Sequence, residues 1–202
     1  MGKKNKKPAK ITAEVQSKEI QDTKVIQKPK AMQQPAAIKK SWIRIVLVVV
    51  VLLMYGNSVN YEFTIDDNIF YLKHSSVQKG LPGIPETFTH GSLEKYNRMT
   101  GVQPYRPVTL SSFALQKQLF DNDAAKAHLV NVLLYVLLVL VLFNLLLKLL
   151  PAANPIVSGI IVFLFAVHPV HTEVVASVKS QDELLSVLFG LQALSYAASL
   201  VK

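Results

Sequence analysis

Four apolar runs alternate with polar segments along the chain. They lie at residues 41–59, 127–149, 153–168 and 183–201. A helix that crosses a bilayer core of about 30 Å needs about 20 mostly apolar residues. The second run meets this length, whereas the third run meets it only if its flanks contribute. The pattern predicts an all-α integral membrane protein with about four transmembrane helices.

The first run follows a long basic segment. Trp42 suits the membrane interface, and Arg44 can extend its charged group toward the lipid head groups. A cleavable signal peptide is the competing interpretation. Its basic region would be much shorter, and Tyr55-Gly56-Asn57 is a poor cleavage site. The pattern therefore favours a signal anchor at 41–59.

Residues 1–40 are rich in Lys, Gln, Pro and Ala, a composition typical of disordered segments. Twelve basic and three acidic residues at 1–44 account for the whole net charge of +9. Basic residues beside a first membrane helix predict a cytoplasmic tail that contacts anionic lipid head groups. Nucleic acid is not an expected partner, because the only aromatic residue of 1–44 is Trp42, at the membrane boundary. The absence of cysteine excludes disulfides and thiolate metal sites.

Residues 60–126 form a long extramembrane segment of mixed character. The pair Asp66-Asp67 suits a helix N-terminus, and the apolar residues after it could lie along the membrane surface. A segment rich in Gly and Pro at 80–85 ends this helix. A second helix over 108–120 has an apolar stripe formed by Val108, Leu115 and Leu119. We expect juxtamembrane amphipathic helices in this external loop.

Alternating crossings place two separate segments on the same side of the membrane. With the basic tail inside, the first helix delivers residues 60–126 outside, and the third delivers residues 168–182 outside. The fourth helix then returns. This topology predicts that one non-cytoplasmic surface carries the candidate residues Asp66, Asp67, Arg106, His168, His171, Glu173 and Asp182.

Each candidate residue has a structural alternative. Adjacent carboxylates cap a helix more often than they catalyse a reaction. The motif from His168 to Glu173 offers nitrogen and oxygen ligands, but it lacks the i, i+4 spacing of zinc proteases, and Pro169 disfavours a regular helix. Its histidines could equally bond a frayed helix end. Arg106 could pair with a lipid phosphate, an acidic residue or a phosphorylated substrate. No cofactor is indicated, and a divalent metal stays an open alternative.

Five short sequences, taken in order, resemble one family. They are Asp66-Asp67, Tyr105-Arg106-Pro107-Val108-Thr109, His128-Leu129-Val130-Asn131, His168-Pro169-Val170-His171-Thr172-Glu173 and Asp182-Glu183-Leu184-Leu185. Over roughly residues 55–201 the chain resembles the N-terminal membrane part of the transmembrane and tetratricopeptide-repeat O-mannosyltransferase-like proteins. These are GT-C glycosyltransferases, so the resemblance implies a partial GT-C architecture.

The resemblance also implies an activity and roles for residues. A sugar, mannose by the family's name, would pass from a polyprenyl- or dolichyl-phosphate carrier to an acceptor hydroxyl such as a protein Ser or Thr. Asp66 matches the family's proposed general base, and Asp67 would support it. Arg106 would stabilise the departing lipid phosphate. The remaining candidates would contact the sugar-phosphate region: His168, His171, Glu173 and Asp182.

The chain departs from the family in two ways. Ser180-Gln181 stands where the family commonly has Gly-Arg, which leaves Lys179 as the nearby cation. The chain also ends at Lys202, whereas GT-C membrane domains have more helices and these proteins carry repeats. We therefore expect an N-terminal part or a truncated version of such an enzyme.

Two other functional classes stay open. The chain could be a non-enzymatic membrane anchor or assembly subunit whose external loop is a docking surface. It could also bind or transport a metal through His168, His171 and Glu173, although no fourth ligand is specified. The expected location is a cell membrane with the N-terminus in the cytoplasm. The resemblance favours a bacterial inner membrane, or the endoplasmic reticulum membrane if the chain is eukaryotic.

Overall fold

The computed structural model describes residues 39–89 and 105–200. The tail predicted to be disordered, 1–40, lies almost entirely outside the described residues, and so does the part of the external loop at 90–104.

Within the described ranges the regular structure is helical throughout. The α-helices are α1 (Lys40–Tyr55), α2 (Ile65–Asp67), α3 (Ser75–Gln78), α4 (Ile84–Thr89), α5 (Pro107–Phe120), α6 (Ala124–Leu149), α7 (Pro155–Ala166), α8 (His171–Ala176) and α9 (Gln181–Leu200).

Three of these helices are long and apolar enough to cross a membrane. They are α1 with the turn that extends it to Asn60, at 21 residues, α6 at 26 residues and α9 at 20 residues. Helix α7 is apolar but has 12 residues, so it is about 18 Å long, less than the roughly 30 Å of a bilayer core. The predicted all-α, multi-pass membrane class is confirmed, with three helices of spanning length and a shorter fourth.

The directions of the bundle helices follow from contacts at their two ends. Arg44 of α1 donates to Asn144 of α6 at 2.8 Å, and Tyr55 of α1 packs edge-on against Tyr135 at 5.2 Å between ring centroids. Helices α1 and α6 are therefore antiparallel. Lys148 near the end of α6 bonds Ser195 near the end of α9 at 2.8 Å. Helices α6 and α9 consequently run in the same direction.

The short helix α7 runs alongside α1. The backbone of Gly159 approaches the side chain of Ile43 so closely that an added Cβ would lie 2.8 Å from it. At the other end, the carbonyl of Ala166 accepts hydrogen bonds of 3.1 Å from both Tyr55 and Tyr135. Helix α7 therefore starts near the beginning of α1 and ends near its end, which is the direction that a third crossing requires.

The described part of the loop at 60–126 has a small core of its own. Tyr71 is fully buried and stacks on Phe63. Its ring also packs edge-to-face with Phe113, with 5.4 Å between the ring centroids. Burial raises the pKa of the Tyr71 phenol to about 12. Helix α5 turns Leu110 and Phe113 into this core. Its predicted apolar stripe lies on the opposite, exposed face, where it can contact lipid: Val108, Leu115 and Leu119.

Candidate functional site

One face of α6 carries the polar residues around which the loop end of the bundle is built. His128, Asn131 and Tyr135 are spaced i, i+3 and i+7, so they lie on the same side of the helix. The buried Asn131 amide donates to the carbonyl of Ser177 at 2.7 Å, and Tyr135 donates to Ala166. His128 is also buried, and the centroids of the Tyr61 and Phe63 rings each lie 6.3 Å from the centroid of its imidazole ring. This face therefore contacts both loop segments, 60–126 and 168–182.

Asp67 joins the segments 60–126 and 168–182 directly. It is fully buried, and one carboxylate oxygen accepts from the backbone and the hydroxyl of Thr64, each at 2.8 Å. The other oxygen accepts from the backbone N–H of Lys179 at 2.6 Å and from the Ser177 hydroxyl at 3.4 Å. Thr64 in turn caps the N-terminus of α2. Asp67 is therefore a buried connector, 112 positions away in sequence from the segment it holds.

The neighbouring Asp66 has the opposite environment. Its side chain is exposed, and its carboxylate makes no hydrogen bond or ion pair with any other residue that the structure describes. Because Asp67 fixes the short helix α2, the position of Asp66 is defined although its own carboxylate has no partner there. An exposed carboxylate on a fixed backbone is accessible to a substrate.

Arg106 and Asp182 form an ion pair between the loop and α9. The Arg106 Nη1 atom lies 2.7 Å from the Asp182 Oδ2 atom, with 31% and 18% of the two side chains exposed. The guanidinium also lies over the ring of Phe70, 5.6 Å from its centroid. The carboxylate of Asp182 is in the first turn of α9, where the helix dipole favours negative charge. Two predicted site residues are thus brought together.

This ion pair borders a cleft of about 370 Å³ between α5 and α9. Thr109 and Ser186 contribute hydroxyl groups to its wall, and Phe189 contributes an apolar surface. A guanidinium beside hydroxyl groups suits a phosphate, and an apolar wall suits a hydrocarbon chain. The cleft therefore places a partly exposed guanidinium, paired with Asp182, beside an apolar wall.

His168 lies just before α8 and His171 is its first residue, and their ring centroids are 6.2 Å apart. His168 is exposed, and its Nδ1 atom accepts from the Val170 backbone at 3.3 Å. His171 packs on Phe165 at 4.4 Å and on Tyr135 at 5.6 Å. Burial against these rings lowers the pKa of His171, and the charge of the nearby His168 lowers it further. His171 is therefore part of the packing between α7, α8 and α6.

The remaining members of the predicted site are less closely integrated. Glu173 is exposed in the first turn of α8, and the structure records no contact of its side chain with the candidate histidines. In the described part of the chain, no group of three or more His, Cys, Asp or Glu side chains is arranged to hold a metal ion.

Position 181, where the family commonly has arginine, has a structural role. Gln181 is fully buried and accepts a hydrogen bond of 2.9 Å from the Gln116 amide. It therefore ties α9 to α5. Lys179, half-buried and two positions earlier, has its backbone held by Asp67. Its ammonium group makes no ion pair with another described residue.

Several residues that organise this site were missed as site residues in the sequence. Ser177 and Gln116 are single polar residues with no motif around them. Asn131 and Tyr135 did give a signal, because a polar residue inside an apolar run usually has a partner or a function. His128 and Asn131 were recognised as part of a family motif, without a predicted role.

Curated proteins with similar sequences support the family resemblance. The chain is 35% identical over 150 residues to the protein O-mannosyl-transferase TMTC1 of Mus musculus, which covers 73% of the chain and 16% of that protein. It is 32% identical over 165 residues to the protein O-mannosyl-transferase TMTC4 of Mus musculus, covering 74% of the chain and 22% of that protein. A protein O-mannosyl-transferase of Caenorhabditis elegans, F38B6.6, is 40% identical over 93 residues, covering 45% of the chain and 13% of that protein.

These comparisons confirm the resemblance for a portion of those proteins. The chain spans 16% to 22% of the length of the two mouse relatives. No protein-family profile matches the chain, and no solved structure matches it.

Proposed function

Because the chain is homologous to a portion of the protein O-mannosyl-transferases, we propose that it forms part of a membrane glycosyltransferase of the GT-C type. The donor is a polyprenyl- or dolichyl-phosphate sugar, with mannose as the sugar. The acceptor is a hydroxyl group, with protein Ser or Thr as the expected class. The reaction takes place on the non-cytoplasmic face, in the endoplasmic reticulum membrane for a eukaryotic chain.

The contrast between Asp66 and Asp67 carries this proposal. A general base must reach the proton that it removes, and a buried carboxylate with both oxygens bonded cannot do so. Asp67 is in that buried state, whereas Asp66 is exposed on the same short helix. We assign Asp66 as the base and Asp67 as the residue that positions it. The different environments of the two carboxylates fit two different roles better than two equivalent catalytic roles.

In the proposed step the acceptor hydroxyl oxygen forms a bond to the anomeric carbon of the sugar. Its proton passes to the Asp66 carboxylate. The bond between the anomeric carbon and the phosphate oxygen breaks, and the electron pair leaves with the lipid phosphate. Arg106 stabilises the charge of that phosphate in the cleft between α5 and α9. Asp182 orients the guanidinium there through the 2.7 Å ion pair.

The test is a transfer assay with radiolabelled dolichyl-phosphate mannose and a peptide rich in Ser and Thr. It should use the chain itself and a chimera in which the chain replaces the aligned portion of a longer relative. Asp66→Asn should lower the transfer rate by about 100-fold or more, because a general base contributes on the order of that factor. Glu62→Gln removes another exposed carboxylate of the same loop and should leave the rate unchanged. Full activity of the Asp66→Asn protein would reject Asp66 as the base.

A further inference from the structure

A second cleft lies at the other end of the bundle, where α1 begins and α6 and α9 approach their ends. Its volume is about 510 Å³. Three basic side chains line it, namely Lys40, Arg44 and Lys148. No aspartate or glutamate is among the described residues that line it. The cleft therefore has a net positive charge.

Neutral groups hold Arg44 in position. Its Nη2 and Nε atoms donate to the side-chain oxygen of Asn144 at 2.8 Å and 3.3 Å. The guanidinium also lies 5.8 Å from the centroid of the Phe143 ring. These contacts orient the guanidinium without neutralising its charge.

Lys148 has a similar environment on the facing side of the cleft. Its ammonium group donates to the hydroxyl and the carbonyl of Ser195 at 2.8 Å and 3.2 Å, and to the Ser199 hydroxyl at 3.1 Å. Both side chains are half-buried. Among the described residues, two cations are thus fixed at the ends of apolar helices by neutral oxygen atoms alone.

The other end of the bundle shows that this chain can pair its charges internally. Across residues 39–89 and 105–200 the ion pairs are Lys79 with Glu86, Arg106 with Asp182, Lys117 with Asp121 and Lys126 with Asp123. All of them belong to the loop end. Charges at a membrane boundary that lack a counter-ion are costly, so the basic cleft is electrostatically complementary to an external anion.

We propose that this cleft binds the phosphate head group of an anionic phospholipid. Three observations favour a lipid over a soluble anion. The cleft lies where spanning helices α1 and α6 reach a membrane surface. Trp42, a residue typical of that interface, is two positions from Arg44. Exposed apolar side chains flank it at Ile45 and Leu149, where acyl chains would lie. Basic pockets between membrane helices are known to hold such head groups.

The test uses Trp42, which is the only tryptophan of the chain and is two positions from Arg44 in the same helix. The full chain is placed in lipid nanodiscs, and brominated phosphatidylglycerol or brominated phosphatidylcholine is titrated in as a quencher of its fluorescence. The unmodified protein should show a clear preference for phosphatidylglycerol. Arg44→Gln combined with Lys148→Gln should reduce this preference on the order of tenfold or more, since each cation near the surface contributes about 1 kcal/mol.

Two controls separate this site from other causes. Lys79→Gln combined with Lys117→Gln removes the same charge at the loop end and should keep the preference for phosphatidylglycerol. The basic tail is unchanged in both double variants, so it does not account for a difference between them. Arg44→Lys combined with Lys148→Arg keeps the charge and should retain most of the preference for phosphatidylglycerol. Circular dichroism checks that each variant keeps its helicity. An equal loss in the Lys79/Lys117 variant, or none in the Arg44/Lys148 variant, would overturn the proposal. So would relief of the quenching by inorganic phosphate alone, since that would identify the ligand as a soluble anion.

Discussion

The two ends of the helical bundle hold their charged side chains in opposite ways. At the loop end, Asp67 is fully buried and both of its oxygens accept hydrogen bonds from the protein. Arg106 pairs with Asp182 nearby. At the basic end, Arg44 and Lys148 are held by uncharged oxygen atoms.

This difference indicates how each end acts. The loop end is held together by its own side chains, so the segments 60–126 and 168–182 are joined without a ligand. Asp66 is the exception there, exposed on a helix that its neighbour fixes. The basic end has fixed cations and is completed by an anion from outside. Changes at the loop end should therefore affect folding or catalysis, whereas changes at the basic end should affect lipid binding.

The largest effect on stability is expected for Asp67→Ala. The change leaves the N–H groups of Thr64 and Lys179 without their acceptor in a buried site, at a cost of about 2–5 kcal/mol. Unfolding followed by circular dichroism in mixed detergent micelles measures this loss. Asp66→Ala is the matched control, and its exposed side chain should change stability by less than about 0.5 kcal/mol. Equal losses in the two proteins would remove the distinction between connector and base.

Asn131→Ala should have the next largest effect. It removes the 2.7 Å hydrogen bond to the carbonyl of Ser177 in a buried position, which we expect to cost about 1–2 kcal/mol. Hydrogen exchange at residues 177–181 should speed up in parallel, because that segment loses its attachment to α6. Asn60→Ala, at an exposed position, serves as the control. Unchanged exchange at 177–181 would contradict the role of α6 as the support of this loop.

A smaller effect is expected from the ion pair of Arg106 and Asp182. A double-mutant cycle with Arg106→Gln and Asp182→Asn, measured on the free energy of unfolding, should give a coupling energy of about 0.5–1 kcal/mol. The value is small because both side chains are partly exposed and solvent screens the pair. The Arg106→Gln change should nevertheless reduce donor binding strongly. A coupling energy of zero would mean that Asp182 does not orient the guanidinium.

The smallest effect is a pH dependence from His171. Its pKa is lowered in the folded protein, so the folded state resists protonation that the unfolded chain accepts at about pH 6.5, the ordinary value for histidine. Stability should therefore be highest above that pH and should fall as the pH decreases through the lowered folded pKa. His171→Phe should flatten this part of the profile. An unchanged slope in that variant would assign the effect to another group.

Much of the fold was accessible from the apolar runs, because a membrane helix must satisfy its backbone internally and its length is set by the bilayer. The third run was less clear, because it reached the length of a crossing only with its flanks, and the helix that forms there, α7, has 12 residues. The sequence also predicted Asp66, Asp67 and Arg106 as site residues. The resemblance assigned Asp66 as the base and Asp67 as its support, but the residues alone could not predict the burial of Asp67, because that burial depends on Lys179, 112 positions away. Periodicity does not report such long-range contacts.

Photo-crosslinking measures donor binding at the loop end without relying on turnover. A polyprenyl-phosphate mannose analogue with a photoreactive group near the phosphate is irradiated with the full chain in nanodiscs, and the modified peptides are identified by mass spectrometry. Labelling should concentrate at residues 105–109 and 182–189, around the cleft that Arg106 borders, and should decrease in the Arg106→Gln protein. Labelling confined to residues 40–48 and 141–148, with no change in the Arg106→Gln protein, would show that the donor does not bind at the loop end.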